Sequence, residues 1–144
     1  MIHYIFTYGT LRKGDYNHYL LDGAKFVGTC RVRGKLGTIT GSYPQFNIVD
    51  SGDATVVGEV YEVDEARVKQ LDSLEIPFGY SRETVPIIKY VDWDGGVISD
   101  DDGEPMELRE VEVYVFRTPI DNFTQIPSGD WMEYKHGRNV AIQG

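Results

Sequence analysis

At 144 residues and 16.3 kDa the chain is long enough to bury a core without disulfide staples, and its 41% hydrophobic content, ten tyrosines and sixteen glycines exclude wholesale disorder. A net charge of −9 and a pI near 4.7 argue against nucleic acid or an anionic membrane, which bind clustered Lys and Arg, and leave a small molecule as the expected partner. One cysteine, Cys30, excludes an internal disulfide; Met1-Ile2-His3-Tyr4 does not read as a signal segment, and no apolar run nears the roughly 18 residues of a membrane span, so one cytosolic domain over residues 1–144 is expected.

Residues 2–8 alternate, with Ile2, Tyr4, Phe6 and Tyr8 on one face and His3, Ile5 and Thr7 on the other. Ile5 on the second face predicts a central strand. The strand runs into Tyr8-Gly9-Thr10-Leu11, a backbone loop whose glycine lets successive N–H groups converge on an anion or a carbonyl oxygen. Asp15 is the predicted N-cap of a short helix through Tyr16, Tyr19 and Leu20, and Gly23 its stop. From Lys25 to Thr40, short alternating pieces interrupted by Gly28, Gly34 and Gly37 predict bent strands, hence a curved sheet or barrel.

Residues 43–49 predict another strand, with Pro44 at its start, and Asp50 to Asp53 a turn. Thr55 to Val63 is the clearest strand; it meets an N-cap at Asp64, with Val63 and Val68 spaced as a hydrophobic staple. The helix that follows, from Glu65 to about Leu74, is predicted to bury Val68, Leu71 and Leu74 and to turn Arg67, Lys69 and Gln70 to water. Pro77 and Gly79 end it. Tyr80 to Trp93 and Glu107 to Thr118 predict a long hairpin around an acidic insert at about residues 92–104. Asp130 and Glu133 have capping-box spacing ahead of a last helix, with Gly137 as its stop.

Among residues that could carry chemistry, Glu75 comes first. Position alone favours a solvated carboxylate, disfavoured only mildly by the negative end of the helix dipole. The competing reading is that Leu71, Leu74 and the loop Phe78-Gly79-Tyr80 partly bury it, which would raise its pKa toward that of a general acid/base. The acidic run 100–104 lacks the alternating ligand spacing of a calcium loop, and His3, His18 and His136 lack metal spacing, so no metal or cofactor is expected. His18 is expected to make a structural hydrogen bond near the loop, and Cys30 to be a buried small hydrophobe.

Tyr8-Gly9-Thr10-Leu11, Asn17-His18-Tyr19-Leu20-Leu21, Tyr43-Pro44, Gly58-Glu59-Val60-Tyr61, Leu71-Asp72-Ser73-Leu74-Glu75 and Tyr80-Ser81-Arg82 occur in one order between residues 4 and 117. This ordered set resembles the γ-glutamylcyclotransferase family, closest in layout to its γ-glutamylamine cyclotransferase branch. The resemblance implies an α+β fold, a small mixed β-barrel-like sheet with flanking short helices. It implies Tyr8, Gly9, Thr10 and Leu11 as the substrate-binding loop, Glu75 as the catalytic acid/base and Tyr80 as a pocket wall. The implied reaction turns the γ-glutamyl group of an amine or peptide into 5-oxoproline and releases the amine.

Two features depart from the family's pattern: Ile76-Pro77 stands where many members have glycine after the glutamate, and the 92–104 insert is additional. Whether the loop amides hold a developing oxyanion or the substrate's α-carboxylate is left open. Arg12, Lys13 and Arg82 are the nearby cations that could draw an anionic substrate to an acidic protein. The alternatives are a non-catalytic ligand- or protein-binding domain on the same fold, and an acyl-transfer tailoring step on a γ-glutamylated intermediate.

Overall fold

The first strand, β1 (Ile2–Thr7), lies between two neighbours, as its two apolar faces require. In the computed structural model, which describes residues 1–9, 11–13, 15, 18–39, 41, 44–47, 53–92, 98–99, 105–116 and 124–136, these neighbours are β5 (Thr55–Asp64), antiparallel, and β9 (Glu110–Phe116), parallel. Adding β2 (Lys25–Arg33) and β6 (Tyr80–Asp92) closes a five-stranded barrel in the order β1-β5-β2-β6-β9. A second sheet joins β10 (Thr124–Gln125), β3 (Lys35–Thr38) and β4 (Gln45–Asn47), and β7 (Ile98–Ser99), within the insert, pairs with β8 (Pro105–Met106), just after it. The expected α+β class, a mixed barrel with few short helices, is what the chain forms.

Alternation along the strands divides the apolar residues into two cores. Phe6, Tyr8, Val32, Val60 and Val113 pack with Phe46 and Trp131 in one cluster; Ile5, Val63, Tyr61 and Tyr114 pack on the opposite face against Val68 and Leu71 of the helix α1 (Glu65–Glu75). The staple pair Val63 and Val68 is thus realised, and Asp64 caps α1 by accepting the Arg67 N–H at 2.8 Å. The barrel's bends fall at register shifts between Phe26 and Gly28, Thr29 and Cys30, and Arg31 and Val32. Cys30 is fully buried there, and burial pushes its thiol up to about 12.

Three expectations change. Leu74 is 42% exposed while Val68 and Leu71 are buried: at about 100° per residue a three-residue spacing drifts off the face, and Leu74 lies roughly 120° round from Val68. Arg67 does not simply face water; it is half-buried, and its guanidinium donates to the Leu20 and Asp22 carbonyls. After the loop, the segment forms only a 3-10 turn, His18–Leu21, ahead of Gly23 at φ +83°. The hairpin of β6 and β9 is present, from Tyr80 opposite Phe116 to Pro86 opposite Glu110. A last helix, α2 (131–136), starts at Asp130, which accepts the Glu133 N–H at 3.1 Å. Tyr16, Tyr43, residues 50–52 of the predicted 50–53 turn, the run 100–104 and Gly137 lie outside the described residues. No helix among the described residues is long and apolar enough to cross a membrane.

Candidate active site

Strand register gathers the site at one end of the barrel. The parallel pair Ile5 and Glu112, continued three residues along both strands, brings Tyr8 level with Val115, and Val115 faces Ser81, next to Tyr80. Glu75 ends α1 and is joined to Tyr80 by the 3-10 turn Ile76–Phe78 and Gly79, which takes φ +95°. That left-handed residue reverses the chain into β6.

The loop after β1 is fixed from several sides. Tyr8 is buried and its hydroxyl donates to the Tyr114 carbonyl at 2.7 Å, so it offers a ligand its ring and backbone rather than its OH. Gly9 sits against the Pro44 ring. Thr10 lies outside the described residues; Leu11 is half-buried, and its carbonyl is 2.9 Å from Nδ1 of His18, the structural bond expected of that histidine. Behind the loop, the buried Glu59 carboxylate accepts from Arg12 Nε at 2.8 Å, from the Lys13 N–H at 2.8 Å and from the Tyr61 hydroxyl at 2.9 Å. Arg12 also pairs with Asp130 at 2.9 Å, and Asp15 accepts from Trp131 Nε1 at 2.9 Å and Lys135 Nζ at 3.0 Å.

Glu75 continues the buried face of α1. It lies seven residues from Val68 and four from Leu71, within about 20° of Val68 round the helix, so the sequence directs its carboxylate inward where Leu74 points out. Among the described residues no side chain or backbone N–H donates to it. Burial raises its pKa above the ordinary glutamate value. Its charge is felt by the hydroxyls of both Tyr8 and Tyr114; burial, first, and then neighbours including Glu75 hold Tyr8 well above the usual phenol range, and burial with Asp72 raises Tyr114.

A polar network borders this carboxylate. Asp72, one turn before Glu75, accepts the Tyr114 hydroxyl at 2.7 Å and a two-point contact from Arg82 at 3.0 and 3.2 Å. Arg82 also pairs with Glu112, whose other oxygen is 2.7 Å from Nδ1 of His3; Nε2 of His3 is 2.5 Å from Glu65 at the start of α1. Asp72, Ile76, Tyr80, Ser81, Arg82 and Glu83 line a depression of about 260 Å³, to which only Tyr80 of the expected site residues contributes. Arg12 and Arg82, two of the three cations expected to attract an anion, are thus neutralised by carboxylates, and the remaining one, Lys13, is exposed. Glu59, Asp72 and Tyr114 have site-supporting roles that sequence reading did not assign. Tyr114 gave no local signal, since an aromatic residue in a strand is ordinarily core.

A sequence model of the family described as gamma-glutamyl cyclotransferase, AIG2-like, matches residues 5–133. The chain belongs to this family. It is 33% identical over 134 residues to a Methanocaldococcus jannaschii protein whose name assigns it provisionally to the γ-glutamylcyclotransferases, covering 92% of this chain and 98% of that protein. It is 28% identical over 134 residues to the γ-glutamylcyclotransferase family protein YtfP of Escherichia coli, covering 90% and 96% respectively. The crystal structure of an AIG2-like protein from Mus musculus superposes with a TM-score of 0.68 over 90% of this chain and 87% of that one; at 22% identity that likeness is one of fold. The family range takes in the loop at 8–11, Glu75, Tyr80 and the first half of α2.

Proposed function

We propose that the chain cyclises the γ-glutamyl group of a γ-glutamyl amine or peptide to 5-oxoproline, with release of the amine. The observation that carries this reading is Glu75, a half-buried carboxylate with no donor among the described residues, raised by burial and set at the barrel end that bears the Tyr8–Leu11 loop and Tyr80. Structural carboxylates in this protein, such as Glu59 and Asp72, are saturated with donors; Glu75 is kept available.

In the proposed reaction Glu75 takes a proton from the substrate's α-ammonium, and the freed amine attacks the γ-carbonyl carbon of the same molecule. The carbon–nitrogen bond to the leaving group breaks as Glu75 returns the proton there. In becoming the lactam N–H the attacking nitrogen sheds two protons; both end on the leaving amine, which departs as an ammonium, and Glu75 is restored as carboxylate. Both reacting groups sit in one substrate, so the protein gains chiefly by holding that chain folded. Amides of the 8–11 loop supply donors for the oxyanion or the α-carboxylate, worth about 2.7–4 kcal/mol for one well-aimed oxyanion contact. No cofactor takes part in this scheme, and Tyr80 lines the pocket.

The test is 5-oxoproline release from γ-glutamyl-ε-lysine, γ-glutamyl-alanine and glutathione by wild type and Glu75→Gln. Turnover of one substrate, lost in the folded variant, is expected; activity retained in Glu75→Gln would remove the mechanism, and no turnover of the panel would favour a binding domain.

A further inference from the structure

Among the described residues, Tyr114 is joined by hydrogen bonds to both halves of the site. Its main-chain carbonyl accepts the Tyr8 hydroxyl at 2.7 Å, and its own hydroxyl donates to Asp72 Oδ1 at 2.7 Å. The first bond fixes the residue that opens the loop; the second fixes the helix turn that bears Glu75, because Asp72 and Glu75 are three residues apart on one helix and the Ile76 N–H that follows donates to the Asp72 carbonyl. Arg82 holds Asp72 from the β6 side with a two-point contact, and Glu112, two residues before Tyr114 on β9, holds Arg82. A single strand position, buried to 4% exposure, therefore links the end of α1 to the end of β1.

We propose that Tyr114 is a positioning residue that sets the placement of the Glu75 carboxylate relative to the Tyr8 loop, through its paired bonds to Asp72 and Tyr8. The proposal rests on the reading of Glu75 as acid/base only for its effect on rate; the placement itself is a property of the unliganded protein. The groups facing Glu75 are the phenols of Tyr8 and Tyr114, with Asp72 and its partner Arg82 beside them. Replacing Tyr114 by Phe removes one hydroxyl, changes no charge at neutral pH and leaves the carbonyl that holds Tyr8. What changes is the tether on α1. A looser helix end lets water reach the carboxylate and lets it drift from its working position.

The experiment is a carboxyl carbon NMR titration of the full chain, with Glu75 assigned from the signal lost in Glu75→Gln, in wild type and Tyr114→Phe, beside 5-oxoproline release. In Tyr114→Phe the Glu75 midpoint is expected to fall toward the ordinary glutamate value by about half a pH unit or more, as water replaces buried surroundings. On a turned-over substrate, kcat is expected to drop about tenfold or more with KM changed less than about threefold, the split of a misplaced reacting group rather than a lost binding contact. A Glu75 midpoint unchanged in folded Tyr114→Phe overturns the proposal whatever the activity does. A wild type without turnover on the panel counts against the cyclotransferase reading alone, since the titration still decides the tether. Should Tyr114→Phe fail to fold, Asp72→Ala, which removes the acceptor, is read by amide exchange at Ile76: faster exchange than wild type is expected, and unchanged exchange overturns the proposal.

Discussion

The Pro44 ring lies directly on Gly9: a Cβ built at position 9 falls 2.6 Å from Pro44 Cγ and 2.9 Å from Cδ. Gly9 and Pro44, which come from two motifs far apart in sequence, thus share one contact. Gly9→Ala is expected to destabilise the protein by about 1–3 kcal/mol through overpacking against a ring with little freedom to move, and to displace the loop. Pro44→Ala removes both clashing carbons, so the double variant should recover much of the loss. Urea denaturation of the four proteins measures this; additive costs would show that the contact is not the cause.

The ion pair of Arg12 and Glu59 is buried on both sides, unlike that of Arg109 and Glu107, which is exposed with a 3.7 Å separation. Glu59→Ala leaves the Arg12 guanidinium with only Asp130, and the Lys13 N–H and Tyr61 hydroxyl without their acceptor. The expected cost is about 3–5 kcal/mol. Glu107→Ala is expected to change stability by less than about 0.5 kcal/mol. Denaturant midpoints decide between them, and equal effects would refute the distinction.

The exposures of α1 give a sharp contrast between two leucines. Leu71→Ala should cost about 2–5 kcal/mol through the cavity left beneath the helix, and Leu74→Ala less than about 1 kcal/mol. Thermal melts of the two variants check this. A large loss at Leu74 would mean that the exposed position is covered.

His3, set between Glu65 and Glu112, contributes a pH dependence with a definite sign. Burial works against its charged form, but the hydrogen bonds to Glu65 and Glu112 outweigh it and the pKa is raised above 6.5. The contribution is therefore fully present below about 6.5, the unfolded value, and is lost as pH rises through the folded one. The carboxylates of Glu65 and Asp72 are shifted downward, Glu65 by its bond to His3 and Asp72 by Arg82 and Tyr114 against the opposing effect of burial, so their contribution is lost only as pH falls through their folded values. Urea midpoints of wild type should decline as pH rises above about 6.5 while those of His3→Gln stay flatter. Parallel curves would rule out this role for His3.

The barrel was legible because each piece is a local pattern. Alternation in residues 2–8 and 55–63 fixed two strands, Asp64 fixed the start of α1, and glycines between residues 25 and 40 signalled curvature. A three-residue recurrence reads as one stripe but misplaces Leu74, because a full helix turn takes about 3.6 residues; the same geometry, applied strictly, places Glu75 on the buried face. What no local pattern contains is partnership. Asp72, Tyr114 and Glu59 act through residues 10, 42, 46, 47 and 106 positions away, and nothing near them in sequence names those partners.

The tethers of the first loop have a consequence for how the protein comes into being. Arg12 is held by Asp130, and Asp15 by Trp131 and Lys135, across separations of 118, 116 and 120 residues. During synthesis the loop therefore waits on residues more than a hundred positions downstream for these three contacts, long after Glu59 and Pro44 have emerged. A chain cut before residue 130 keeps the Arg12 and Lys13 contacts to Glu59 and loses those to Asp130, Trp131 and Lys135.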